Sequence, residues 1–196
     1  MPWTNFSKTL VLDSSRPLEV EIGCGKGRFL IDRAGANPGV QFVGIERASK
    51  WVRLAQDRGG RRSHENLQIV KGDAREIVSY EIPTSSVARF HIYFPDPWPK
   101  RRHRKRRLIT EDFLKLLHDR LAKEGWIHFV TDFEDYYTGT RDLALKEPRL
   151  WSRVLEGGSG HLSEGREKTH YEARYLAEGR PLYYLHIEKM NKGFVR

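Results

Sequence analysis

The chain has one cysteine, Cys24, among 196 residues. No intramolecular disulfide can form and no cluster of thiolates can hold a metal, so disulfide scaffolds are excluded, reducing surroundings suit the chain, and no metal site is expected. Long apolar runs are also missing. The mean hydropathy is −0.66, and no stretch approaches the roughly 20 apolar residues that a membrane span requires. Met1 to Leu10 show no basic segment leading into an apolar one, so no secretory signal is read there and a cytoplasmic location is expected. Acidic residues are the minority charge, 26 Asp and Glu against 35 Lys and Arg, for a net +9. The run Lys100 to Arg107 alone holds seven Lys or Arg among eight residues, and without it the chain carries only +2. Such a patch attracts phosphates through steering and counterion release.

The length fits a single domain over residues 1–196, and no repeat or linker divides it. Leu18 to Ile22 reads as a strand that ends in Gly23-Cys24-Gly25-Lys26-Gly27, followed by a helix from Arg28 to Ala36. After a turn at Asn37-Pro38-Gly39, Val40 to Ile45 is a second strand, ending at Glu46 and leading into a helix from Ala48 to Arg58. Leu67 to Val70 is a third strand and runs into Gly72-Asp73-Ala74. Val87 to Phe94 is apolar enough for the centre of a parallel sheet, and ends at Pro95-Asp96-Pro97-Trp98-Pro99. A helix capped by Thr110 continues through Leu117 and Leu121, and Gly125 introduces a strand from Trp126 to Val130 that ends at Thr131-Asp132. Asp135 to Lys146 reads as helix, Glu156 to Lys168 as a mobile loop, and Leu182 to Ile187 as a last strand. Strands alternating with helices predict an α/β fold, a doubly wound and mostly parallel sheet with helices on both faces.

In such sheets ligands bind at the carboxyl ends of the strands, where strand order reverses. Glu46, Asp73, Asp96 and Asp132 fall at or just after strand ends and Glu21 lies in the last part of the first strand, so five carboxylates face one crevice. Any one of them alone is more simply turn chemistry. Gly23, Gly25 and Gly27 supply backbone that turns sharply near a ligand, and Glu46 follows at a distance suited to the hydroxyls of a ribose, which implies a nucleoside-containing cofactor. The third glycine comes one residue earlier than in the dinucleotide pattern G-x-G-x-x-G. The basic run reads as a solvated charge run or an import signal in isolation. Directly after a strand end it stands instead at the mouth of the crevice, and nucleic acid becomes the expected partner. Trp98 either stacks on a base or locks the loop between its prolines.

The glycine turn resembles the first motif of class I S-adenosylmethionine methyltransferases, with Glu21 as its acidic residue and Asp73-Ala74 as the later acidic turn beside the adenine. The segment Phe94-Pro95-Asp96-Pro97-Trp98-Pro99-Lys100-Arg101-Arg102-His103-Arg104-Lys105-Arg106-Arg107-Leu108 resembles the signature of bacterial-type tRNA (guanine-N7-)-methyltransferases. Further matches follow in family order: Glu21 to Gly27, Gly44-Ile45-Glu46, Gly72-Asp73-Ala74, Thr131-Asp132 with Tyr136, and Thr169-His170-Tyr171-Glu172 with Arg174. The resemblance implies a Rossmann-like fold, S-adenosyl-L-methionine as cofactor and methyl transfer to guanine N7 at the variable-loop position 46 of tRNA. It implies cofactor contacts at Glu21, Gly23, Gly25, Gly27, Glu46, Asp73, Ala74 and Asp96, with Asp96 also catalytic. Substrate contacts fall at Lys100, Asp132, Thr169, His170, Tyr171 and Glu172, and RNA contacts at Arg101, Arg102, Arg104, Lys105, Arg106 and Arg107. The family's tail motif has Lys and Phe where His170 and Tyr171 stand. A monomer or homodimer is expected.

Among rival chemistries, cytosine C5 methylation lacks a nucleophilic cysteine by the Asp96 loop, since Cys24 lies in the glycine turn. An exocyclic-amine enzyme would have a second proline where Trp98 stands. An NAD-linked oxidoreductase and a noncatalytic RNA-binding protein are the remaining alternatives.

Overall fold

The computed structural model describes residues 10–62, 64–157 and 168–190. Its elements are β1 (Leu18–Ile22), α1 (Arg28–Ala36), β2 (Gln41–Glu46), α2 (Ser49–Arg61), β3 (Leu67–Lys71), α3 (Ala74–Tyr80), β4 (Val87–Tyr93), a 3-10 turn (Arg101–Arg106), α4 (Glu111–Arg120), β5 (Leu121–Thr131), α5 (Glu134–Leu145), β6 (Trp151–Gly157), α6 (His170–Ala177) and β7 (Tyr183–Lys189).

One seven-stranded sheet runs in the order β3-β2-β1-β4-β5-β7-β6. The strands from β3 to β5 are mutually parallel, and β7 runs antiparallel to both β5 and β6. The doubly wound sheet expected from the alternation is therefore present, with one reversed strand. The order reverses between β1 and β4, and their carboxyl ends open the crevice there.

The two faces of the sheet carry separate cores. Phe29 and Leu30 of α1, Val52 and Ala55 of α2, and Tyr175 and Leu176 of α6 pack on one side. Ile77 and Val78 of α3, Phe113 and Leu117 of α4, and Tyr136 of α5 pack on the other with Val20, Phe90, Ile92 and Phe129. Side chains such as Leu30, Phe90 and Phe129 are fully buried, and each such residue stabilises the fold by about 1.5 to 3 kcal/mol.

Five elements differ from the sequence expectations. The helix after Thr110 stops at Arg120 and β5 starts at Leu121, because Leu121 pairs with Val87 before the register shifts ahead of Arg89. Trp151–Gly157 is an edge strand that pairs only with β7, and its mostly exposed residues leave no apolar signal. The expected loop from Glu156 to Lys168 thus gives its first two residues to β6, while 158–167 lie outside the described residues. The short helices α3 and α6 begin where the sequence showed only site motifs.

Candidate active site

The glycine turn leaves the end of β1 with Gly23 and Cys24 both donating to the carbonyl of Ile45 on β2, at 2.8 and 3.1 Å. Gly25 (φ +52) has no atom within 4 Å of where a Cβ would stand, so the turn leaves open space above it. Gly27 is different: a Cβ there would meet the Ala55 Cβ at 2.8 Å, so the turn sits directly on α2. Glu46 fastens the arrangement. Its Oε2 accepts from the Gly25 N–H at 2.9 Å and its Oε1 from the Ala48 N–H at 2.8 Å, tying the turn to the start of α2.

Glu21 lies on β1 opposite Gly44 of β2 and His91 of β4, and is 4% exposed. Its Oε2 is fully buried without a hydrogen-bond partner. Burial pushes its pKa up to about 8, with the nearby Glu46 charge adding to the effect. The same burial, with Glu21 and Glu46 close by, raises the Cys24 thiol well above its ordinary range, so Cys24 is a neutral packing group. A buried carboxyl lacking a partner costs stability, and an orphaned acceptor beside a glycine turn is the mark of a site built for a ligand with hydrogens to donate. The donor set therefore fits a nucleoside-type cofactor carrying an ammonium group.

Asp73 follows β3 and caps α3, its Oδ1 accepting from the Arg75 N–H at 2.9 Å. Asp96 follows β4 in a loop bracketed by two residues in the left-handed region, Phe94 (φ 50) and Trp98 (φ 43). Non-glycine residues hold that conformation at a cost of about 1 to 3 kcal/mol, and such strain concentrates at functional sites. The Phe94 N–H donates to Val130 on β5 at 2.8 Å, fixing the entry to the loop. Asp96 itself is exposed, and among the described residues no hydrogen bond or ion pair occupies its carboxylate.

The basic segment forms the 3-10 turn, with no buried residue from Arg101 to Arg106. Trp98 is half-buried beneath it, with the Arg106 guanidinium 5.0 Å from its ring and His103 edge-on at 5.9 Å. These contacts tie Trp98 to the turn. Arg107 corrects the expectation that the whole run faces RNA. It is buried, donates from Nε to the Pro97 carbonyl at 2.9 Å, pairs with Asp135 and lies 4.7 Å over the Tyr136 ring. Arg104 shares Asp135 at 2.9 Å. Lys100, Arg101, Arg102, Arg104, Lys105 and Arg106 are the exposed cations.

The tail reaches the same place. Tyr171 and Tyr175 of α6 lie 6.2 and 5.3 Å from the Phe94 ring, and Arg180 beyond α6 pairs with Asp132 at 3.5 Å. Thr169 and Glu172, expected as substrate contacts, instead start α6. The Thr169 hydroxyl accepts from the Glu172 N–H at 3.1 Å, Glu172 Oε2 accepts from the Thr169 N–H at 3.3 Å, and the Tyr184 hydroxyl donates to Glu172 Oε1 at 2.9 Å. Glu172 is wholly buried, so of the four residues only His170 and Tyr171 are exposed.

One cluster escaped the sequence reading. Glu19 on β1 is buried and accepts from Arg33 on α1 (3.0 Å to Nη2) and Arg89 on β4 (2.8 Å), with His91 on β4 also at 2.8 Å. Burial would raise its pKa, but the bonds from His91 and Arg33 prevail and hold it at about 2. His91 continues to the Tyr93 hydroxyl at 2.9 Å, and that hydroxyl to His128 at 3.3 Å. This polar layer clamps α1, and with it the glycine turn, to the two strands on which the crevice opens. Alternating glutamates in the buried strand Leu-Glu-Val-Glu-Ile were the available signal, since a charge at such a position requires a partner.

Residues 15–185 match a family described as "Putative methyltransferase". A tRNA (guanine-N(7)-)-methyltransferase of Geobacter metallireducens is 33% identical over 93% of this chain and 87% of its own. The chain belongs to that methyltransferase family. A second family member, the tRNA (guanine-N(7)-)-methyltransferase of Myxococcus xanthus, is 38% identical over 89% of this chain and 84% of its own. Solved structures share the fold at lower identity. A precorrin-6y C5,15-methyltransferase from Geobacter metallireducens superposes with a TM-score of 0.61 at 15% identity, over 89% of this chain and 81% of its own. A 30S ribosomal A1408 methyltransferase from an uncultured bacterium gives 0.57 at 19%, over 90% and 89%. The methyltransferase-family fold is thus joined to a strand-end constellation of Glu21, Glu46, Asp73, Asp96 and Asp132.

Proposed function

We propose that this chain is a cytoplasmic enzyme, a monomer or homodimer, that transfers the methyl group of S-adenosylmethionine to N7 of guanine at variable-loop position 46 of tRNA. The observation that carries this reading is the position of Asp96: an unengaged carboxylate in a strained loop, between the glycine turn and the exposed cations from Lys100 to Arg106. The relatives' names supply the substrate, and no helix of the described residues is long and apolar enough to cross a membrane.

S-adenosylmethionine, when bound, supplies an electrophilic methyl group on a sulfonium. Glu46 would accept from the ribose hydroxyls with the oxygens that also hold Gly25 and Ala48, and Asp73 and Ala74 would border the adenine. Glu21 presents its free oxygen to the methionyl ammonium. Guanine N7 carries a lone pair in the major groove and has no proton to lose before it could accept a methyl group, so no residue of this chain is required to act as a general base. The chain's own part would be to orient the guanine toward the cofactor and to place carboxylates near the purine as it becomes positive. Asp96 performs that second role, with Asp132 at the neighbouring strand end. Ionised carboxylates also accept the amide and amino hydrogens of a guanine drawn out of water. Lys100, His170 and Tyr171 border the base, while Thr169 and Glu172 hold the helix that presents them. Arg101, Arg102, Arg104, Lys105 and Arg106 grip the phosphates.

The test uses labelled cofactor and two tRNA transcripts, one with guanine and one with 7-deazaguanine at position 46. Labelling of the guanine transcript alone is expected. Equal labelling of both overturns the N7 assignment.

A further inference from the structure

The charge balance of the chain hides a second basic region. From Arg47 to Arg62 there are six Lys or Arg against one acid, Asp57, a net of +5. Together with the seven cations of the basic run this exceeds the total of +9, so the rest of the chain is net −3. Positive charge therefore lies in two places, and the small remainder left outside the basic run is a cancellation.

Most of this second stretch is α2. Its buried residues are Val52, Ala55 and Gly59, and at about 100° per residue Lys50, Arg53 and Arg61 fall on the opposite side, where all three are exposed. Helix stability accounts for Arg61, which stands in the last turn where the dipole favours a cation, but not for Lys50 or Arg53. The first turn of α2 has no acidic residue and no side-chain cap, and Lys50 stands there although the helix dipole disfavours a cation at that end. At the crevice end, Lys26 of the glycine turn and Lys50 both lie over the Trp51 ring, 5.1 and 5.0 Å from its centroid. Two ammonium groups share one ring, and among the described residues neither is paired with a carboxylate.

The placement gives this face a use. β2 and β4 flank β1 in the sheet, so α2 begins on one side of the glycine turn and the basic 3-10 turn follows on the other. Two strand spacings separate them by about 10 Å at the sheet, and α2 extends the second face about 20 Å from the crevice rim. A polyanion drawn to Asp96 by one flank meets the other.

We propose that the α2 face of Lys50, Arg53 and Arg61, with Lys26 at its crevice end, is a second phosphate-binding surface for the same RNA, so that the substrate straddles the glycine turn. The inference rests on the tRNA reading above. Affinity of the full chain for a labelled tRNA transcript is measured from about 50 to 200 mM salt, for the wild type, for K50A/R53A/R61A, for the charge-preserving K50R/R53K/R61K, and for R101A/K105A in the basic turn. The alanine triple is expected to bind about tenfold or more weakly near 150 mM, with a log–log salt slope shallower by about 2 to 3. Its KM for tRNA rises, turnover at saturating tRNA persists, cofactor affinity is unchanged, and the charge-preserving triple binds like the wild type. Wild-type affinity and slope in the alanine triple, while R101A/K105A weakens, overturns the second surface and leaves the tRNA reading standing. Equal loss in both triples also overturns it, since the loss then does not follow charge. A wild-type chain that neither binds nor methylates tRNA removes the tRNA reading itself.

Discussion

Glu21 offers the sharpest quantitative prediction, because its carboxyl is buried without a hydrogen-bond partner and replacing it with glutamine keeps nearly the same shape. The folded-state pKa is about 8 against an ordinary 4.5. A folded chain that binds the proton more tightly than the unfolded one is most stable below the unfolded pKa, and loses that stability as pH rises through the folded value. The window for Glu21 is therefore about pH 4.5 to 8, and across it wild-type stability falls by roughly 1.4 kcal/mol per pH unit, about 5 kcal/mol in all. Glutamine does not ionise, so Glu21→Gln lacks this slope. Urea unfolding at a series of pH values should give two curves that diverge steadily from pH 5 to 8 and then run parallel. At about 2 to 4 °C per kcal/mol for a chain of this size, the change in melting-temperature gap across that range is on the order of 10 °C. S-adenosylmethionine carries a net positive charge at neutral pH and favours the ionised carboxyl, so its binding to wild type at pH 7 should release up to about one proton. Calorimetry in buffers of different ionisation enthalpy reads this directly, and Glu21→Gln should release none while binding more weakly. Parallel stability curves for the two proteins from pH 5 to 8 would refute the reasoning.

Asp96→Ala should lower turnover by about 10²-fold or more, the scale of removing one transition-state charge partner, with the melting temperature unchanged because its carboxylate holds nothing in the fold. Arg107→Ala should destabilise by about 2 to 4 kcal/mol, since it strips partners from Pro97 and Asp135; R101A/K105A should leave stability intact and weaken tRNA binding. A melting temperature equal to wild type in Arg107→Ala would contradict its assignment to the fold. The carboxyl of Glu19 has the opposite linkage to that of Glu21: its folded pKa is depressed to about 2, so its contribution is present above pH 4.5 and lost as pH falls through 2, about 3 kcal/mol in all. Acid titration followed by circular dichroism should show Glu19→Gln without that acid-side loss, and already destabilised at pH 7 because Arg33 and His91 lose their shared charge.

The alternation of strand and helix, the glycine turn and the carboxylates at strand ends were legible in the sequence because each rests on local chemistry. Period, punctuation by glycine and proline, and apolar content act over ten residues or fewer. The edge strand Trp151–Gly157 was not legible, because a strand with one neighbour and most of its residues exposed needs no continuous apolar pattern. Its pairing is decided by β7, some 30 residues away in the chain.

Within the site the same division holds. The sequence by itself determined which residues gather at the crevice, since parallel topology brings every strand end to one side. Only the tertiary structure decided what each does there. Arg107 and Arg106 are adjacent cations in one run, yet one is buried against Tyr136 and Asp135 and the other lies over Trp98. Glu172 reads as a substrate contact in the tail motif until Tyr184 and the Thr169 cap enclose it. Glu19 and Glu21 stand two residues apart on the same strand face, one held ionised by Arg33, Arg89 and His91 and the other pushed toward neutrality by burial beside Glu46. Residue type fixes what a group can donate, accept or ionise; the partners that burial brings within 3 Å fix which of those it does.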